Sequence, residues 1–128
     1  MRVLLDTNVF LWSNEDPDRL SSTARELVED STNYVFLSAV SAWEIAIKYE
    51  KGSLKLPEPA HQFVIDRVFR LRLQPLNIEL PHALRAGSLP PIHRDPFDRL
   101  LVAQSQLEGL PILTSDARIA AYGVEVIW

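Results

Sequence analysis

Asp6, Glu44, Asp98 and Asp116 are the residues of this chain whose types and positions suit chemistry. Asp6 ends the apolar run Val3-Leu4-Leu5, and Asp116 follows Ile112-Leu113-Thr114-Ser115. A short apolar run between polar breakers reads as a strand buried on both faces, and in parallel sheets ligands gather at the strand carboxyl ends. Glu44 lies about two turns into the helix expected after a second such run, and Asp98 lies in the first turn of a later helix. These places converge on one sheet edge. Carboxylates gathered there repel one another unless a cation sits among them. Oxygen ligands in a chain without cysteine select Mg²⁺, with Mn²⁺ as the alternative. Mg²⁺ takes few carboxylates, keeps several waters and binds substrate phosphate, which suits phosphodiester hydrolysis. Zinc fits poorly, since His61, His82 and His93 are scattered with no ligand spacing.

Each acid also has a purely structural use. Glu44 falls beside the Val40, Trp43 and Ile47 stripe of its helix, where a charge needs a partner; Lys48 at i,i+4 offers an ion pair worth about 0.3–0.5 kcal/mol. In Asp95-Pro96-Phe97-Asp98, Asp95 suits the N-cap, Pro96 the first helical position and Asp98 an acidic variant of the capping box. Asp116 suits the cap of a short helix over Ala117 to Ala121. Asp6 has no helix turn of its own to satisfy unless the chain from Asn8 onward is helical.

The elements that must position these side chains alternate. Strand-like runs at Val3 to Leu5, Tyr34 to Leu37, Ile112 to Leu113 and Val124 to Ile127 are separated by helical patterns, which implies an α/β fold around a parallel sheet. Ser21 to Asp30 reads as a helix with Leu20, Ala24, Leu27 and Val28 on its apolar side. Val40 to Lys51 reads as a second, ending at Gly52, and Pro59 to Leu71 as a third with Ala60, Phe63, Val64, Val68 and Leu71 on one stripe. Leu73 to Leu76 suggests a short strand and Leu80 to Ala86 a short helix. Pro96 to Glu108 reads as a helix with Phe97, Leu100, Leu101, Gln104 and Leu107 on one face and Gly109 after its end.

With 128 residues, 47% hydrophobic and 23% charged, the chain is expected to form one domain, residues 1–128, that buries roughly two thirds of its unfolded surface. The absence of cysteine excludes disulfide frameworks, thiolate metal sites and cysteine nucleophiles, and agrees with a reducing cytoplasm. No signal peptide or membrane span is expected. The net charge of −4 argues against binding nucleic acid by simple electrostatics, an objection that divalent cations among the acids would soften.

Four segments in order resemble PIN-domain proteins of the VapC toxin type: Val3-Leu4-Leu5-Asp6-Thr7-Asn8-Val9-Phe10-Leu11-Trp12, Ser38 to Lys48 with Trp43-Glu44-Ile45, His93-Arg94-Asp95-Pro96-Phe97-Asp98-Arg99-Leu100-Leu101-Val102-Ala103-Gln104, and Leu113-Thr114-Ser115-Asp116. The resemblance implies a three-layer α/β/α sandwich with a central parallel sheet and a Mg²⁺- or Mn²⁺-dependent endoribonuclease, the toxin of a type II toxin-antitoxin pair. It further implies a VapB-like antitoxin that blocks the active site, and a homodimer. Carried over by position, Asp6, Glu44, Asp98 and Asp116 are the family's four acids. Asp98 is preferred over Asp95 as the third, because it precedes Leu100-Leu101-Val102-Ala103 at the family's distance. On this reading Asn8 and Thr114 orient the carboxylates by hydrogen bonding. Lys48, Arg94, Arg99 and Arg118 are candidate phosphate contacts, each with an ordinary alternative as a solvated surface cation.

Asp6-Thr7-Asn8 also resembles the start of aspartate-nucleophile phosphatases, but Asn8 replaces the second aspartate that would protonate the leaving group. A non-catalytic module whose acidic edge captures a basic peptide is the other alternative.

Overall fold

The computed structural model describes residues 1–128. Its centre is a sheet of five parallel strands: β1 (Arg2–Leu5), β2 (Tyr34–Ser38), β3 (Gln74–Leu76), β4 (Ile112–Leu113) and β5 (Val126–Ile127), in the spatial order β3-β2-β1-β4-β5. Leu4 is paired with Phe36 of β2 on one side and with Ile112 of β4 on the other, and Leu5 with Leu113. The chain runs outward from β1 through β2 and β3, then returns to β1's other side with β4. That reversal makes the β1/β4 boundary the topological switch point, where parallel α/β sheets hold their ligands.

Side chains alternate across the sheet. Val3, Leu5, Val35, Leu37 and Leu113 face one hydrophobic cluster, while Leu4 and Ile112 face another. The first is covered by α1 (Thr7–Glu15), α2 (Ser22–Glu29) and α4 (Ala60–Arg70), which supply Val9, Phe10, Ala24, Leu27, Ala60, Phe63 and Val64. The second is covered by α6 (Pro96–Glu108), with Leu101 and Val102, and by α7 (Ala117–Ala120), with Ile119. The helix α3 (Ala39–Glu50) contributes Ile45 to the first cluster and Val40 to the second, and α5 (Leu80–Ser88) packs on α6. The result is the three-layer α/β/α arrangement. No helix is long and apolar enough to cross a membrane.

Local chemistry sets the helix starts. Ser21, Ser38, Asp95 and Asp116 cap α2, α3, α6 and α7 through side-chain oxygens that accept backbone N–H groups. Gly109 closes α6 in the left-handed conformation at φ 67°. Three features depart from the sequence patterns. The whole of α1 is unforeseen, and it begins directly after Asp6. Trp43 of α3 is 58% exposed and its ring stacks edge-on against Phe97, so the buried face of α3 is Val40, Ser41, Glu44 and Ile45. On α6, Leu107 is exposed and the buried run is Leu101 to Ser105, because Gln104 turns inward, where its Oε1 accepts from the Ser38 hydroxyl at 2.5 Å and its Nε2 donates to the Asn77 carbonyl at 3.1 Å.

Candidate metal centre

Strand pairing delivers the first two groups. The Asp6 N–H donates to the Leu113 carbonyl at 3.0 Å, which aligns the ends of β1 and β4. Asp6 stands at the N-cap position of α1, yet its side chain makes no capping bond; its Oδ2 accepts from the Thr114 hydroxyl at 2.6 Å instead. Thr114 is fully buried and its oxygen also accepts the Asp116 N–H at 3.0 Å, so one hydroxyl fixes two acids. Burial pushes the Asp6 carboxyl above its ordinary range; the bonds from Thr114 and Thr7 pull it back, and Glu44 and Asp116 repel it further. Thr7 in turn donates its hydroxyl to Ser41 at 2.8 Å, tying α1 to α3.

Glu44 is the most enclosed charge on α3, at 5% exposure. Lys48 Nζ sits 2.5 Å from its Oε2, as the i,i+4 spacing allows, but Oε1 is buried with no hydrogen-bond partner. An unpartnered buried carboxylate oxygen is costly, of order 1–3 kcal/mol or more for a charged group, and calls for a cation or water. Across from it, the start of α6 separates the two aspartates of its motif. Asp95 Oδ1 accepts the Phe97 N–H at 2.8 Å as a cap. Asp98 is 15% exposed and carries a carboxyl pushed up to about 8, first by burial and then by repulsion from Asp6, Asp95, Glu44 and Asp116.

Asp116 behaves differently. Burial raises its carboxyl, but Arg118 outweighs that with a backbone N–H bond and two guanidinium contacts of 3.1 and 3.0 Å, and with His93 it holds the carboxyl below the usual range. His93 is a member of this cluster that sequence spacing did not select. Its Nε2 lies 3.0 Å from Asp98 Oδ2 and 3.1 Å from Asp116 Oδ2. The ligand-type atoms of His93, Asp98 and Asp116 all fall within 4.8 Å of one another. The orphaned Glu44 oxygen, the raised Asp6 and Asp98 carboxyls and the predominance of carboxylates in the cluster together fit a hard divalent cation.

The family model of the PIN domain matches residues 3–125, a span that runs from β1 to the threshold of β5 and contains every acid of the cluster. The chain belongs to the PIN domain family. It is 47% identical over 68 residues to ribonuclease VapC16 of Mycobacterium tuberculosis, a match spanning 52% of this chain and 48% of that relative. Ribonuclease VapC22 of the same organism is 29% identical over 121 residues, covering 94% of this chain and 91% of VapC22. Among solved structures, DNA-bound VapBC from Salmonella typhimurium has a chain that shares the fold with TM-score 0.71 at 18% identity, covering 99% of this chain and 97% of that one.

Within this PIN domain the cations and polar groups around the acids divide by their partners. Lys48 and Arg118 are exposed and lie against Glu44 and Asp116, and Arg94 is exposed. Arg99, expected as a phosphate contact, is committed elsewhere: its Nη1 donates to the Pro90 carbonyl and its Nη2 to those of Ala86 and Leu89, at 2.8 to 2.9 Å. It clamps the proline loop. Asn8, expected to orient a carboxylate, is exposed and bonds none of the acids, which leaves that role to Thr114. Replacing Thr114 with Val keeps the shape but strips Asp6 and the Asp116 N–H of a buried partner. Thr114→Val is expected to lower the unfolding free energy by about 1–3 kcal/mol, and Thr114→Ser by much less, as read from urea titrations.

Proposed function

We propose that this PIN domain is a divalent-metal-dependent endoribonuclease, the toxin of a type II toxin-antitoxin pair, with Mg²⁺ as its resident ion and Mn²⁺ as an effective substitute. The observation that carries the metal reading is the buried, unpartnered Oε1 of Glu44, set among carboxyls that cannot all ionise without a counter-charge. Asp6, Glu44 and Asp98 would hold the ion, with Asp116 completing the ring. When bound, the ion supplies Lewis-acid activation of water and neutralises charge on the scissile phosphate. Thr114 keeps Asp6 oriented, and the exposed Lys48, Arg94 and Arg118 would supply contacts to the flanking phosphates of the strand. RNA as substrate follows from the ribonucleases this chain is similar to.

The partner reading has support of the same kind. The bidentate approach of Arg118 to Asp116 shows that this edge accepts a guanidinium as a cation, and a VapB-like antitoxin that blocked the site with an arginine would use the same chemistry. A homodimer and residence in the cytoplasm belong to the same proposal. The test is incubation of the antitoxin-free protein with total RNA and Mg²⁺ or Mn²⁺. Cleavage suppressed by EDTA and by Asp98→Asn, but retained in Asp95→Asn, is the expected pattern. Cleavage indifferent to EDTA would overturn the metal reading, and a protein that binds RNA or basic peptides without cleaving would favour the non-catalytic module.

A further inference from the structure

His93 is 4% exposed and stands between two acids of the cluster. Its Nδ1 accepts the backbone N–H of Asp95 at 3.1 Å, so that nitrogen is occupied as an acceptor. A neutral imidazole carries one proton, which this bond places on Nε2. Nε2 then donates toward Asp98 Oδ2 and Asp116 Oδ2 at 3.0 and 3.1 Å. A protonated ring nitrogen has no lone pair to give a cation, so the closeness of these three side chains does not make His93 a ligand. The loop that carries it is also fixed: the His93 N–H donates to the Tyr122 hydroxyl at 2.8 Å, and that hydroxyl donates to the Pro90 carbonyl at 3.0 Å.

We propose that His93 is a positioning residue, a fixed Nε2–H donor that bridges Asp98 and Asp116 and sets the spacing at which these two acids meet a divalent ion. The inference rests on the metal reading above for its effect on ion affinity. His82 supplies an internal comparison. It uses the same tautomer, with Nδ1 accepting the Glu79 N–H at 2.9 Å and Nε2 facing Glu108 at 3.0 Å, but it serves one partly exposed carboxylate and staples α5 to α6. At His93 one N–H is shared by two acids contributed by different elements, the first turn of α6 and the cap of α7. Groups that orient metal-binding carboxylates typically change ion affinity 10- to 100-fold when removed.

Two substitutions separate the ring's two duties. His93→Gln keeps an N–H donor near the place of Nε2 and loses the acceptor for Asp95; His93→Asn keeps an acceptor near the place of Nδ1 and loses the donor toward the acids. Calorimetric titration with Mn²⁺ is expected to show His93→Gln within about threefold of wild type and His93→Asn weakened about 10- to 100-fold. Two-bond ¹H–¹⁵N correlation spectra of the ion-free protein are expected to show the Nε2–H tautomer at His93, retained when Mg²⁺ is added. Equal affinities in the two variants, the reverse ranking or an Nδ1–H tautomer would overturn the proposal, and the spectrum decides even where a variant fails to fold. Wild-type protein that binds no Mn²⁺ would overturn the metal reading and this inference together, whereas normal binding by His93→Asn would overturn this inference alone.

Discussion

Asp6→Asn is expected to leave a folded protein whose metal-dependent RNA cleavage has dropped by at least about a hundredfold. The fold survives because the Asp6 side chain only accepts, from the Thr114 hydroxyl and the Thr7 backbone, and an amide oxygen accepts as well as a carboxylate oxygen. Removing a charge that burial already disfavours leaves stability unchanged or raises it by about 1 kcal/mol. The loss falls on ion binding, since the amide offers no net charge to a hard cation. Parallel measurement of the melting temperature, Mn²⁺ affinity and cleavage rate checks all three statements. A variant that melts normally and cleaves at more than a tenth of the wild-type rate would remove Asp6 from the site.

The second large effect is on stability against pH. Folded Asp98 holds its proton up to about pH 8, whereas an unfolded aspartate releases it near pH 4. Between those values the folded protein binds the extra proton, so stability of the ion-free protein declines as pH rises. The contribution is fully present below the unfolded value and is gone above about 8. Asp6 is raised in the same direction. Asp116 is lowered, so it is ionised in both states across this window and adds no slope there. From pH 5.5 to 7.5 the expected loss is about 2–3 kcal/mol, read from urea titrations in EDTA. Saturating Mg²⁺ stabilises the ionised carboxylates and should flatten the decline, and Asp98→Asn should flatten it without any ion. A wild-type protein equally stable at both pH values in EDTA would show that burial and the neighbouring acids do not hold the proton on Asp98.

How much of this was legible in the sequence depended on the range of the interaction. The cap residues and the short buried runs announce themselves locally, and Pro96 marks Asp95 as a cap, whereas the preference for Asp98 as the third acid came from the family resemblance. The helix α1 could not be read, because Thr7, Asn8 and Val9 are poor helix formers; the packing of Val9 and Phe10 against Phe63 and the sheet overrides their propensity. Trp43 misled because its helical spacing from Val40 and Ile47 suggests burial, whereas its ring lies on Phe97 at the surface. The duties of Arg99 and His93 were invisible for another reason. Their partners are carbonyl oxygens, a backbone N–H and two acids, Asp98 five residues and Asp116 23 residues away, at spacings that mark no recognisable ligand or capping pattern. The orphaned oxygen of Glu44 likewise exists only once α3 is packed into the folded chain.

The reversal of strand order at β1 has a consequence for synthesis. β1 is the first strand made and the middle strand of the finished sheet, yet the neighbour on one of its sides, β4, is translated only at Ile112 and Leu113. While the ribosome is still short of that point, β2 and β3 can pair with β1, but the flank beside Leu4 and Leu5 is an open edge, Asp6 lacks Thr114, and Asp116 does not exist. On the proposed nuclease reading, the acid cluster is therefore incomplete on the emerging chain and closes only after the last two strands have been released and docked.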